Sequence, residues 1–472
     1  MLKGSMKIEL QDVNTGETET ILAQNMVTNA LSEIFKPIGL SKSPERLEKL
    51  LCPYYEHLLG GILLFDSSIT ENINTFYPPA NSKLIGCGVF GEQNNTTGTY
   101  RGNYNLIESQ LNLDERYMKY VYDFNANQGN GNISSVCLTS KNAGYTSYGS
   151  SDAEFILSKP LGLKIDAGEL AYIGSEQTGG KTIDTNNTIV VGESEVIFLV
   201  DKENDHIYYF KINNNKSISI IKRKGYLKSI SVLEDISKIK PKIEEVVLTE
   251  LTTTIYTKYF SFNFDTGQNA LYIFSSNYYY IGKNEKIDAI KINFGTWEIT
   301  RIEIINTTDI RLKTDKSRFA FENNGFVYMS SYNSPYEVYK IEISNQANIK
   351  IIARNPTFEI NGRPQLAINN RIYYEGSQTM TASKQLYVLN EATEEFLKSE
   401  SCSIASTGNY KTYTPVLNNP MMFYSSCGTY EIDGFIIMGN YLATINNLQN
   451  PVTKTADKIM KVTYIIQEES NA

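Results

Sequence analysis

The chain has 472 residues, 41% hydrophobic and 20% charged, a composition that builds packed cores and excludes intrinsic disorder. A net charge of −8 and a pI near 5.2 exclude the concentrated positive surface that phosphate-backbone binding needs, so no nucleic-acid partner is expected. No stretch approaches the ~18–20 apolar residues that span a bilayer, so no membrane insertion is expected either.

Residues 1–25 read as a β-hairpin. Met6, Ile8 and Leu10 alternate with polar neighbours, residues 14–17 (NTGE) are turn chemistry, and residues 19–22 return. The segment polarises within ten residues, so no secretory signal is expected. Val27, Leu31, Ile34 and Phe35 share one helical face, and Pro37 should end that helix. A second helix is expected from Ser43, with Pro44 in its first turn and Leu47, Leu50 and Leu51 as its apolar stripe. Residues 62–65 are wholly apolar, as a buried strand would be. Residues 66–104 are loop-like, and residues 117–139 form a hairpin around the turn NQGNGN. A polar stretch at 144–151 marks the first domain boundary.

Residues 189–446 carry a repeat. Copies start at Ile197, Leu271, Phe326 and Arg371, with a partial fifth, FIIMG…LATIN, at Phe435. Each full copy has a strand ending on an aliphatic residue before Asn or Ser, at Ile212-Asn213, Ile292-Asn293, Ile343-Ser344 and Leu389-Asn390, then a turn and a further strand. A short strand precedes most copies, near residues 188, 259, 318, 365 and 421. Four short β-branched and aromatic strands per unit describe a propeller blade, although the spacing of about 60 residues exceeds the ~40–50 of WD40 and kelch repeats. A β-helix would need shorter rungs, and a β-sandwich would not require the aliphatic-Asn turn to recur. After the repeats, Met460, Val462, Tyr464 and Ile466 share one strand face and should return to the N-terminal domain. The expected fold is mainly β: a β-propeller-like repeat domain (151–447) inserted into a small α+β N-terminal domain (1–150) closed by the C-terminal strand (448–472).

No catalytic or metal-binding set emerges, and no cofactor is expected. The five cysteines (Cys52, Cys87, Cys137, Cys402, Cys427) form no CxxC pair, and the two histidines, His57 and His206, lie far apart. The only tryptophan, Trp297, lacks the S-x-D-x-G-x-T-W surroundings of a sialidase box, and carboxylate pairs such as Glu244-Glu245 and Glu394-Glu395 read as solvated charge. Tyrosine stands out. Consecutive Tyr278, Tyr279 and Tyr280 cannot all face a core on extended chain, so at least one is expected at the surface. Tyr332 and Tyr336 flank the corresponding turn of the next unit, and Tyr374 lies in the strand that opens the one after. These six are the candidate receptor-binding residues, since an exposed tyrosine stacks on a sugar or packs against a protein.

The two ends of the chain resemble a known family. KGSMKIELQDVNTGETE with NMVTNAL, the run YVYDFNANQGNGNISSVCLTSKNAGYTSYG, and YLATINNLQNPVTKTADKIMKVTYII are similar to tail fibre and baseplate proteins of phages of Gram-positive, clostridial-type bacteria and of phage-tail-like bacteriocins. The likeness covers roughly 100 residues, at 3–31, 120–149 and 441–466, and leaves the repeats outside. It implies a non-enzymatic, homotrimeric structural protein of the virion tail or baseplate, assembled in the bacterial cytoplasm. Its implied partners are other tail or baseplate subunits and a bacterial cell-surface protein or glycan. Asn25, Met26, Asn29, Lys454, Met460 and Tyr464 fall in the matching runs and are the candidate assembly residues. A polysaccharide-degrading tail enzyme and a purely architectural subunit are the alternatives.

Overall fold

The computed structural model describes residues 2–30, 59–79, 82–91, 98–143 without 113 and 142, 155–156, 195–224 without 202 and 205, most of 243–352, the strands between 364 and 438, and 441–468. Among these residues every named element is a strand. The helices expected after the first hairpin fall largely outside them.

Alternation in the first segment produces β1 (Leu2–Asp12) and β2 (Thr18–Val27), paired from Gly4↔Asn25 to Gln11↔Thr18. Their turn is held by Asp12, whose Oδ1 accepts the amides of Asn14 and Thr15 at 2.8 Å, and by Gly16 at φ 74°, a conformation that suits glycine. Six more strands follow: β3 (Gly61–Phe65), β4 (Leu84–Gly88), β5 (Arg101–Tyr104), β6 (Gln110–Asn112), β7 (Tyr117–Phe124) and β8 (Gly131–Thr139). A two-residue strand, β9 (Phe155–Ile156), precedes the repeats.

Among the described residues the repeats form five antiparallel four-stranded sheets. Blade 1 is β10 (Glu195–Asp201), β11 (His206–Asn214), β12 (Ser217–Lys224) and β13 (Ile243–Leu248). Blade 2 is β14 (Tyr259–Asp265), β15 (Ala270–Ser276), β17 (Lys286–Asn293) and β18 (Ile299–Ile305), with β16 (Tyr280–Ile281) and β19 (Leu312–Lys313) forming a small sheet above it. Blade 3 is β20 (Ala320–Asn323), β21 (Phe326–Ser330), β22 (Val338–Glu342) and β23 (Ile349–Ile352). Blade 4 is β24 (Pro364–Ile368), β25 (Arg371–Glu375), β26 (Leu386–Asn390) and β27 (Glu395–Lys398). Blade 5 is β28 (Lys411–Pro415), β29 (Met421–Ser426) and β30 (Gly434–Met438), with β9 as its outermost strand.

The first strands of the blades lie side by side in sequence order, and β28 returns beside β10, so the ring closes. A parallel bridge, Val200↔Val416, marks that junction. Aromatic side chains fill the wedges between blades. Phe198 lies 5.9 Å from Phe264, and Phe210 lies 5.1 Å from Phe262, joining blades 1 and 2. The propeller is therefore held by aromatic rings packed at tilted and edge-on angles between twisted sheets.

After the ring the chain enters β31 (Thr444–Lys454) and β32 (Lys458–Glu468). β32 pairs with β1 along its whole length and with β7 from Met460↔Phe124 to Gln467↔Tyr117, which closes the sheet order β32-β1-β2-β31-β8-β3-β4-β5-β7 on itself. Met6, Ile8, Leu10, Tyr122, Phe124, Met460, Val462 and Tyr464 fill the interior. Outside it, Leu63, Phe65, Cys87, Cys137, Leu442 and Ile445 form a second layer, so β3, β4 and β8 are buried on both faces. Val200, Ile207, Tyr209, Ile221 and Val416 of the propeller join the barrel's cluster.

Three details correct the sequence reading. LATIN is not the end of a fifth blade: its last three residues begin β31, which pairs with β8 and β2, and Tyr441 to Ala443 are already buried beside them. The barrel therefore resumes before residue 448. The missing blade strand is β9, supplied from before the first repeat. Blades 1 and 5 are also shifted by one strand. The strand at Ile197 is innermost, and the aliphatic-Asn turn of blade 1 joins its second and third strands, whereas in blades 2 to 4 it joins the third and fourth. In blade 5 the innermost strand is β28, one earlier than the residues near 421.

Candidate functional site

With antiparallel strands inside each blade, connections from second to third strand and from one blade to the next emerge on one face of the ring. Connections from first to second and from third to fourth strand emerge on the other. On the first face, three segments of blades 2 and 3 knit together. Tyr280 pairs with Lys313 and Ile281 with Leu312, Leu312 bridges to Ser331, and the Tyr332 amide donates to Arg311 O at 2.8 Å. The Thr314 amide reaches Tyr279 O at 2.9 Å, and the Thr314 hydroxyl donates to Tyr278 O. Beneath them Asn306 is fully buried. Its Nδ2 donates to Ile281 O at 3.2 Å and Ile310 O at 2.6 Å, and its Oδ1 accepts the Thr308 amide and hydroxyl.

This frame holds a rim of tyrosines. Tyr278 is 61% and Tyr279 58% exposed, and Tyr332 is 44% exposed. The Tyr279 ring rests 5.1 Å from the buried Tyr259 ring, and Tyr280 lies 4.9 Å from Tyr332. The Arg311 guanidinium sits 4.7 Å over the Tyr280 ring and is itself on an exposed residue. Rings anchored on one side and open on the other bind a flat apolar face at little entropic cost, and the guanidinium adds donors beside it. The nearby Lys283–Asp309 pair, 3.0 Å apart, is exposed and contributes little to stability.

Of the six expected binding tyrosines, Tyr278, Tyr279, Tyr280 and Tyr332 are brought together, and Tyr336 lies outside the described residues. Tyr374 is a correction: it is 1% exposed and packs with Tyr328, Ile372 and Leu389 between blades 3 and 4. Its place inside a ladder, paired with Tyr387, explains the difference, because Tyr278 and Tyr279 lie beyond the end of β15. Arg311, Tyr259 and Asn306 were not singled out from the sequence. Only the turn-forming NTT at 306–308 hinted at the last.

The assembly candidates divide likewise. Asn25 sits on β2 opposite Gly4, and Met26 is half-buried there and pairs with Ile445. Asn29 is held within the chain, its Nδ2 donating to Asn74 Oδ1 at 2.8 Å. Lys454, Met460 and Tyr464 are buried in the barrel, where they pack the fold and present nothing to a second subunit. Lys454 Nζ donates to Asn125 O at 2.9 Å, Ala126 O at 3.3 Å and Asn130 Oδ1 at 2.7 Å. Burial brings its pKa down to about 8, with Asp457 acting against the fall. Lys454→Met strands the Asn125 carbonyl and is expected to cost roughly 2–3 kcal/mol, read as a lower urea midpoint at unchanged slope.

Among the described residues no three His, Cys, Asp or Glu side chains converge on a metal-sized site, and no helix is long and apolar enough to cross a membrane. The fold is that of a β-propeller carried on a barrel-like sheet. No protein-family model and no curated protein matches the chain. Among solved structures it is similar to TolB from Acinetobacter baumannii, at 12% identity and TM-score 0.28 over 77% of this chain and 79% of that one. It is also similar to the SapL1 lectin in complex with alpha methyl fucoside (8%, TM-score 0.28, 54% and 83% covered) and to a prolyl endopeptidase (10%, TM-score 0.29, 74% and 50% covered). Likeness at this level concerns architecture alone.

Proposed function

We propose that the chain is a non-enzymatic structural subunit of the tail or baseplate of a phage or phage-tail-like particle, and that its propeller presents the tyrosine rim to the bacterial cell surface. The observation that carries this reading is the rim itself: three exposed tyrosine rings on a hydrogen-bonded frame spanning two blades. The barrel supports it as the mounting end, because the runs that resemble tail proteins supply β1, β2, β7, β8, β31 and β32. The ligand is a cell-surface glycan or protein with a flat apolar face and acceptors for Arg311.

The purified full chain, fluorescently labelled, should bind whole clostridial-type cells saturably. Replacing Tyr278, Tyr279 and Tyr332 together by alanine should weaken that binding at least tenfold, about 1.4 kcal/mol, with no change in melting temperature. Binding that survives the triple substitution removes the rim from recognition. Release of reducing ends from cell envelopes would replace the display role with an enzymatic one.

A further inference from the structure

On the opposite face of the same two blades, Asp265 ends β14 and Glu322 lies in β20, 4% and 0% exposed. Each carboxyl has one satisfied oxygen. Asp265 Oδ1 accepts the amides of Gly267 at 2.7 Å and Gln268 at 3.2 Å. Glu322 Oε1 accepts the Gly325 amide at 2.8 Å and Gln268 Nε2 at 2.9 Å. The remaining oxygens, Asp265 Oδ2 and Glu322 Oε2, are buried and receive no donor among the described residues, and Gln268 joins the two side chains, its amide on Asp265 Oδ1 and its Nε2 on Glu322 Oε1.

Two ionised carboxylates so placed repel each other, and each leaves a desolvated oxygen bare. One proton on the pair removes a charge and lets one acid donate to the other. A calcium ion would need about six to eight oxygens, and the pair offers two. Gln268 Oε1 is already taken by the Tyr272 hydroxyl and by Lys291 Nζ, each at 2.8 Å. We propose that Glu322 keeps its proton, donates it in a hydrogen bond to Asp265, and so forms a pH-sensitive latch between the inner strands of blades 2 and 3.

Among the described residues the titratable groups facing the pair are few. Blade 2 contributes Tyr272 and Lys291 around Gln268, and the inner strand of blade 4, β24, carries no titratable residue. Burial and then the Asp265 charge push Glu322 up to about 9, with the Gly325 amide and Lys291 acting the other way. A folded-state pKa above the ordinary 4.5 means the contribution is fully present below about pH 4.5 and is lost as pH rises through about 9. The latch joins the two blades that supply Tyr280 and Tyr332 to the rim.

Infrared spectra of the full chain should show a protonated-carboxyl stretch at about pH 7, where ordinary carboxyls are ionised. That band should vanish near the Glu322 pKa and be missing from Glu322→Gln. The wild-type melting temperature should fall between about pH 7 and pH 10 more steeply than that of Glu322→Gln, whose amide donates at every pH. No such band in the wild type at about pH 7 overturns the latch, whether or not the variant folds, and so do identical melting profiles. A band abolished by added calcium, with a rise in melting temperature, overturns it in favour of a cation site.

Discussion

Tyr464→Ala is expected to cost about 3–5 kcal/mol, enough to leave a domain of ordinary stability barely folded. Tyr464 is fully buried at the centre of β32, and its hydroxyl lies 2.5 Å from Thr444 Oγ1, which also accepts the Leu138 amide at 3.0 Å. One side chain thereby ties β32 to β31 and β8 through the barrel interior. Truncation to alanine opens a void among Met6, Tyr120, Val462 and Ile466, residues of three strands that cannot all collapse inward. Tyr464→Phe keeps the ring and loses one hydrogen bond, about 1 kcal/mol. Removal of residues 458–472 goes further, because β32 is the strand between β1 and β7 and its loss opens the sheet along two edges. Calorimetry should give a small shift for Tyr464→Phe, a large shift for Tyr464→Ala and no cooperative barrel transition for the truncation. Equal shifts for Tyr464→Phe and Tyr464→Ala would mean that the hydroxyl, and not the packed ring, holds β32.

Much of this architecture was readable because local chemistry and tertiary role agree. The turn around Asp12 and Gly16 specifies the first hairpin by itself, and the alternation at Met460, Val462, Tyr464 and Ile466 marks a strand with one buried face. The propeller was readable as units of four short strands. Register within blades was not. An inner strand such as KTYTP has no apolar run to announce it, and a two-residue strand such as β9 has no period at all. Buried polar residues were invisible for a related reason. Ser261, Asn263, Asp265 and Glu322 look like the solvent face of their strands, and Ser261 and Asn263 find their partners on the neighbouring blade. The rim was half readable. Three successive tyrosines had to expose at least one ring, but the residues that fix them, Asn306 and Thr314, act through backbone carbonyls distant in sequence.

The junction between blades 2 and 3 sets a second large effect. Neighbouring inner strands run parallel around the ring without a ladder between them, so the buried peptide groups of one edge need partners from elsewhere. On β14 alternate residues supply them. Ser261 Oγ donates to Ala320 O at 2.5 Å and receives the Ala320 amide at 3.3 Å, while Asn263 Nδ2 donates to Glu322 O at 2.7 Å and Asn263 Oδ1 receives the Glu322 amide at 2.9 Å. A carboxamide matches a peptide group donor to acceptor, as a paired strand would. Asn263→Leu removes both bonds at once and leaves a buried N–H and C=O with nothing to replace them. The expected cost is roughly 2–5 kcal/mol, and Ser261→Ala added to it deepens the loss, since two more groups are orphaned. Ser344→Ala, on an exposed turn of blade 3, should stay within about 0.5 kcal/mol. Amide hydrogen exchange gives the finer reading: protection at Glu322 should collapse in Asn263→Leu, and at Ala320 once Ser261→Ala is added, while the amides of β32 keep theirs. Unchanged protection at Glu322 would mean that blades 2 and 3 are held by their aromatic wedge alone.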